Sequence, residues 1–130
     1  MTDTSLFDIM AFRIITGLVV GLALGSFATM LSYRLPRKIS IIHPPSSCPQ
    51  CHARLRKRDL VPFFSWAASG GKCRHCGGHI GIRYPLIELA TATICVLAFA
   101  IIGFQPHLAL VLALTVIFIT TATILLESKN

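Results

Sequence analysis

The stretch 48-CPQCHARLRKRDLVPFFSWAASGGKCRHC-76 decides how the rest of the chain is read. It holds two Cys-x-x-Cys pairs, Cys48 with Cys51 and Cys73 with Cys76, with 21 residues between them. That is close to the spacing of zinc sites built from two such pairs. A two-residue spacing lets both sulfurs of a tight turn reach one ion, and two such turns complete a tetrahedron of thiolates. Gly77 and Gly78, just after the second pair, permit the left-handed backbone that such a turn often needs. Four thiolates leave no open coordination position, so the expected metal is a structural zinc, although the spacing does not separate zinc from iron. A disulfide or a redox pair is the competing reading, disfavoured in a reducing compartment. His52, His75 and His79 stand nearby as spare nitrogens; they are expected at the surface, with the option that one replaces a cysteine.

Outward from this stretch the chain turns oily. Of 130 residues, 54% are hydrophobic and only 13% charged, with a mean hydropathy of +0.72. Soluble domains carry about 25% charged residues. Residues 14–33, 84–103 and 107–126 each have about the length of 20 residues needed to cross a bilayer. Inside them the ionisable acids and bases are Glu88 and, at an edge, His107. Backbone polar groups cannot stay unpaired in lipid, so each is expected to be a helix. The expected fold is a mainly α membrane protein, with three transmembrane helices and a four-cysteine zinc-knuckle insertion between the first and the second. Three helices enclose little core, which points to a partner.

Charge sets the expected topology. Ten of the twelve basic residues, from Arg34 to Arg83, fall in the segment 34–83, opposed there only by Asp59. Basic loops stay in the cytoplasm. Residues 34–83 therefore read as a cytoplasmic basic domain, residues 1–13 and the turn 104–106 as outside, and the tail 127–130 as inside. A cleaved signal peptide ending near Ala23-Leu24-Gly25 fits less well, because Asp3 and Asp8 replace the usual basic start and the apolar run is long. The net charge of +7 admits nucleic acid. Anionic membrane lipid is the simpler partner, since the basic groups flank membrane helices. Phe63, Phe64 and Trp66 form a block after Pro62 instead of alternating with basic residues, so burial against the knuckle or the membrane surface is expected rather than base stacking.

Gly17, Gly21 and Gly25 recur at every fourth position and place a smooth groove on the first helix. Such faces let helix backbones approach closely in lipid, within the chain or against a separate partner. Glu88 lies early in the second membrane helix. It is a functional candidate by its depth, or the partner of Arg83 or Arg34 in an interfacial ion pair. Cys95 stands alone in the same helix and reads as packing.

Five segments together resemble a known family: residues 25–36 (GSFATMLSYRLP), 47–51 (SCPQC), 62–66 (PFFSW), 71–77 (GKCRHCG) and 83–88 (RYPLIE). In order and spacing they are similar to the amino-terminal part of the type IV prepilin peptidases, leader peptidases and N-methyltransferases of pilus and type II secretion systems. The likeness covers residues 17 to 90. It implies a bacterial inner-membrane protein with a cytoplasmic zinc knuckle held by Cys48, Cys51, Cys73 and Cys76. It also implies prepilin or pseudopilin substrates cut by two aspartates on later helices, with methylation from S-adenosylmethionine. Glu88 and Arg83 match family positions and carry over as a structural ion pair. Thr29 stands where asparagine is common, and Thr120 where the first catalytic aspartate would be. The second aspartate would fall beyond Asn130, so no catalytic residue is assigned, since an aspartic protease needs two carboxylates sharing a proton.

The expected function is thus a prepilin-peptidase-like amino-terminal membrane module, working beside a separate catalytic half or as an accessory. Two alternatives accompany it: a stand-alone prepilin N-methyltransferase using S-adenosylmethionine, and a zinc-bearing membrane anchor unrelated to proteolysis.

Overall fold

Among the described residues the three apolar stretches form three long helices. A computed structural model describes residues 3–129, in the order α1 (Asp3–Arg34), a 3-10 turn (Lys57–Asp59), α2 (Phe64–Ala68), α3 (Arg83–Ile102) and α4 (His107–Glu127). All three long helices are long and apolar enough to cross a membrane. Among the described residues there is no strand, only two isolated antiparallel bridges. The mainly helical membrane architecture with a four-cysteine insertion is therefore as the sequence indicates.

α1 is longer than its apolar stretch. It begins at Asp3 instead of Ile14 and runs for 32 residues, about 48 Å at 1.5 Å per residue. Residues 5–13 contain neither glycine nor proline, so nothing breaks the hydrogen-bond ladder there. Asp8 and Arg13 interrupt the hydropathy of the segment without interrupting its helix. Beyond α3, Gly103 adopts φ 69° and donates its N–H to the Phe99 carbonyl, and Pro106 leads into α4. The intervening Phe104 packs on Phe12 at 5.7 Å and on Phe99 at 5.5 Å between ring centroids. This ties the turn to the side of α1.

The glycines decide how α1 meets α3. A Cβ built on Gly17 would come within 2.8 Å of the Val96 Cα, on Gly21 within 2.5 Å of the Ala92 Cα, and on Gly25 within 2.7 Å of the Glu88 Cα. The two antiparallel helices therefore touch backbone to backbone at a constant register over about two turns. Because lipid tails are as apolar as the side chains, such contact is held by close van der Waals packing and not by expulsion of water. Of the two uses open to this groove, packing within the chain is the one realised. Cys95 is fully buried against it. Thr29, Ser32 and Thr91, also buried, direct their hydroxyls to the carbonyls of Gly25, Thr29 and Ile87 in their own helices. α4 packs on both helices, with Leu108 joining Ala98 and Phe99 near the turn. Elsewhere Leu110, Leu114, Ile117 and Phe118 leave one side of α4 exposed.

Candidate metal centre and its mount

The two Cys-x-x-Cys turns are built alike. In each, the N–H of the first cysteine donates to the carbonyl five residues on: Cys48 to Ala53 at 3.0 Å, Cys73 to Gly78 at 2.9 Å. The N–H four residues on donates back to the first cysteine's carbonyl: His52 to Cys48 and Gly77 to Cys73, both 2.9 Å. A bridge closes each turn from the residue before the first cysteine to the third after the second, Ser47 with Arg54 and Lys72 with His79. The return residue is left-handed in both, with φ 58° at His52 and 70° at Gly77. The glycine expected for this purpose serves the second turn, and a histidine serves the first. Only the cysteines are shared in sequence, which hid the repeat.

A Cβ at Gly77 would meet nothing within 4 Å, so substitution there tests backbone strain alone. Gly77→Ala is expected to destabilise the lobe by ~1 kcal/mol, the cost of placing a Cβ in left-handed backbone. Faster loss of metal to a chelator would report it.

The turns bring four sulfurs together. Sγ of Cys48 lies 3.9 Å from that of Cys76, Sγ of Cys51 lies 4.0 Å from that of Cys73, and all four fall within 4.8 Å of one another. A disulfide would need about 2.05 Å. A tetrahedron with metal–sulfur bonds of about 2.3 Å has edges of roughly 3.8 Å, so the donor set fits one tetrahedral ion. Cys48 and Cys73 are buried, Cys51 and Cys76 exposed, and the cluster is made of cysteines alone. His52, His75 and His79 are exposed. Backbone N–H groups of Cys76 and His75 draw the Cys73 thiol down to about 7. The Ala53 N–H pulls Cys51 the same way, but burial and the neighbouring sulfurs prevail and push it up to about 11. Thiolates so close repel one another, and a cation would release their remaining protons.

Charged residues at the helix ends mount this lobe. Arg34, buried at the end of α1, donates from its guanidinium to the carbonyls of Ser40, Ile41 and Pro44. Asp59, the one acid of the loop, accepts from the Arg56 N–H at 3.0 Å and pairs with Arg74 at 3.1 Å, tying the 3-10 turn to the second knuckle. Trp66 on α2 covers Gly71 and donates Nε1–H to the Ile80 carbonyl at 3.1 Å. The aromatic block is thus divided: Trp66 and Phe63 are half-buried, while Phe64 is exposed.

Glu88 is buried and accepts the Phe63 N–H at 2.6 Å, with Ser26 beside its carboxylate. The expected ion pair with Arg83 or Arg34 is not formed. Residues five apart on a helix point to different faces, so Arg83 cannot turn to Glu88. It pairs instead with Glu127 at the end of α4. Sequence reasoning passed over Glu127, although an up-down-up order puts the end of α4 beside the start of α3. Glu88→Gln retains an acceptor for Phe63 and is expected to hold the lobe. Glu88→Leu leaves that N–H unpaired, at a cost of about 1–3 kcal/mol, visible as faster proteolysis of the loop.

Between lobe and helix ends lies a cavity of about 560 Å³, lined among others by Ser26, Tyr33, Phe63, Trp66 and Glu88. Thr120, at the position of the expected aspartate, is buried in α4, and its hydroxyl lacks a hydrogen-bond partner among the described residues. The acids of the described lobe and of the helix ends beside it are each engaged: Asp59 with Arg74, Glu88 with Phe63, and Glu127 with Arg83.

Comparison with known proteins agrees with this layout. The bacterial Peptidase A24 N-terminal domain matches residues 19–102. A prepilin leader peptidase/N-methyltransferase of Dickeya chrysanthemi is 38% identical, over 87% of this chain and 47% of its own length. One of Bacillus subtilis is 40% identical, over 78% of this chain and 40% of its own. One of Klebsiella pneumoniae is 42% identical, over 60% and 37%. The chain spans less than half the length of these relatives. No solved structure matches. With the matched segment running from the glycine seam through both knuckles to the end of α3, the chain belongs to the bacterial peptidase A24 N-terminal domain family.

Proposed function

We propose that this chain is the zinc-knuckle membrane module of a prepilin-processing system in the bacterial inner membrane. It acts with a catalytic half that residues 1–130 do not contain. Cys48, Cys51, Cys73 and Cys76 hold zinc, which supplies no reactive step but fixes the lobe against the helices. The knuckle faces the cytoplasm and the start of α1 the outside, the orientation that the basic loop favours. The observation that carries the reading is the four-sulfur lobe clamped by Glu88 onto a glycine-seamed helix pair, in a chain matching the family over residues 19–102. Prepilin or pseudopilin is the substrate class, as the relatives' names suggest.

Since Asp59, Glu88 and Glu127 are each bound to other groups, proteolysis draws its aspartates from elsewhere. The test is reconstitution in liposomes with a prepilin. The chain alone is expected to leave the leader uncut, and addition of aspartate-bearing helices from a relative to restore cleavage. Cleavage by the chain alone would overturn the reading.

A second reading is methyl transfer from S-adenosylmethionine, favoured by the cavity of about 560 Å³ beside the Glu88 carboxylate, a volume within the usual ligand range. Labelled methyl transfer to a pre-cut pilin by the zinc-loaded chain would support it, and no turnover would reject it.

A further inference from the structure

The Glu88 clamp also sets the depth of the turn that it holds. At the knuckle end of the bundle, the paired Arg83 and Glu127 mark where the helices leave the apolar region. Glu88 lies five residues inside α3, about 7.5 Å along its axis, and its side chain leans back toward the helix start. Its bond to the Phe63 N–H therefore brings residues 60–64 level with the first turns of α3. A soluble lobe would present polar groups there. Instead Leu60, Val61 and Phe64 are 46%, 45% and 57% exposed, Leu60 and Val61 where they also line the cavity between lobe and helix ends. Three consecutive cations, Arg56, Lys57 and Arg58, precede them. Asp59 does not cancel these charges, for its closest charged partner is Arg74 at 3.1 Å, with Arg58 at 4.0 Å, and from Arg56 it accepts only the backbone N–H.

We propose that residues 56–64 form an interfacial anchor for anionic phospholipid. Leu60, Val61 and Phe64 enter the boundary between headgroups and acyl chains, and Arg56, Lys57 and Arg58 bind phosphates above them. Interfacial segments bury their apolar side about 5–10 Å deep with basic residues beside it, which is the arrangement found here. The left-handed Phe63, φ 58°, forms the corner, with its N–H turned to Glu88 and the Phe64 ring set edge-on to its own at 5.6 Å. The inference depends on the chain spanning a bilayer and not on prepilin processing.

The test uses the full metal-loaded chain in nanodiscs, with Phe64→Trp adding a second fluorophore to Trp66. The added emission is expected to fall at least twofold with phospholipid brominated near the top of its acyl chains and to resist aqueous iodide. With Lys57→Gln and Arg58→Gln combined, the preference for brominated phosphatidylglycerol over brominated phosphatidylcholine is expected to disappear. Quenching by iodide alone would place the turn in water, and quenching by neither would place it against protein; both overturn the anchor. Equal quenching by both headgroups in the unmodified cation background would overturn its anionic preference. Metal content reports whether the lobe stays folded, and if Phe64→Trp loses metal, Leu60→Trp makes the same measurement.

Discussion

Exchanging Cys73 for serine is expected to lower metal affinity at least ~100-fold and to unravel the lobe between α1 and α3 while all three long helices stay in the membrane. A lobe of this size has little apolar interior, and structural zinc contributes on the order of 10 kcal/mol or more to folding such units. Cys73 is one of the two inner cysteines, buried beside Cys48 and bonded through its backbone to both Gly77 and Gly78. A serine oxygen at the same place is a poor donor to a soft tetrahedral site. The helices should survive because α1, α3 and α4 meet through their own seam, away from the sulfurs. The measurement is metal content by mass spectrometry together with proteolysis of reconstituted protein. One full equivalent of metal in both Cys48→Ser and Cys73→Ser would defeat the four-thiolate assignment.

The second large effect belongs to Gly21. Its neighbours leave no space: an added Cβ would lie 2.5 Å from the Ala92 Cα and 2.8 Å from the Cys95 Cβ. Backbone cannot yield as a flexible side chain does, so Gly21→Leu must separate α1 from α3. Overpacking in a tight core costs about 1–3 kcal/mol, and the backbone position of this contact argues for the upper end or beyond. Separation would also shift Glu88 relative to Ser26 and loosen the clamp on Phe63. Gly21→Leu is therefore expected to lower the melting temperature in detergent and to expose the knuckle loop to protease as well. Leu18→Ala, on the exposed side of α1, is the control and should change little. An unchanged melting temperature for Gly21→Leu would contradict the seam.

These predictions rest on features of unequal visibility in sequence. The four-cysteine cluster was legible because its chemistry is local: a two-residue spacing suffices to form each half of it. What joins the halves is backbone geometry, and His52 in left-handed conformation gives no sign of itself beside Gly77. The glycine period showed that α1 has a smooth face, while the choice of α3 as its occupant required the folded chain. Glu88 stood out by its charge and depth, but its partner is a backbone N–H, a group that every residue except proline carries. Glu127 was invisible for a related reason, since a salt bridge spanning α3 and α4 has no signature in local spacing.

Sequence by itself determined three apolar helices, an inserted sulfur quartet and a basic loop, because hydropathy, ligand chemistry and charge act over one turn or one helix. The tertiary structure alone decided that the glycines seat α3, that Arg83 reaches Glu127, and that Glu88 holds the Phe63 turn beside the helix start. Those contacts join residues distant in the chain, and only the close approach of two backbones along a side-chain-free seam fixes their register.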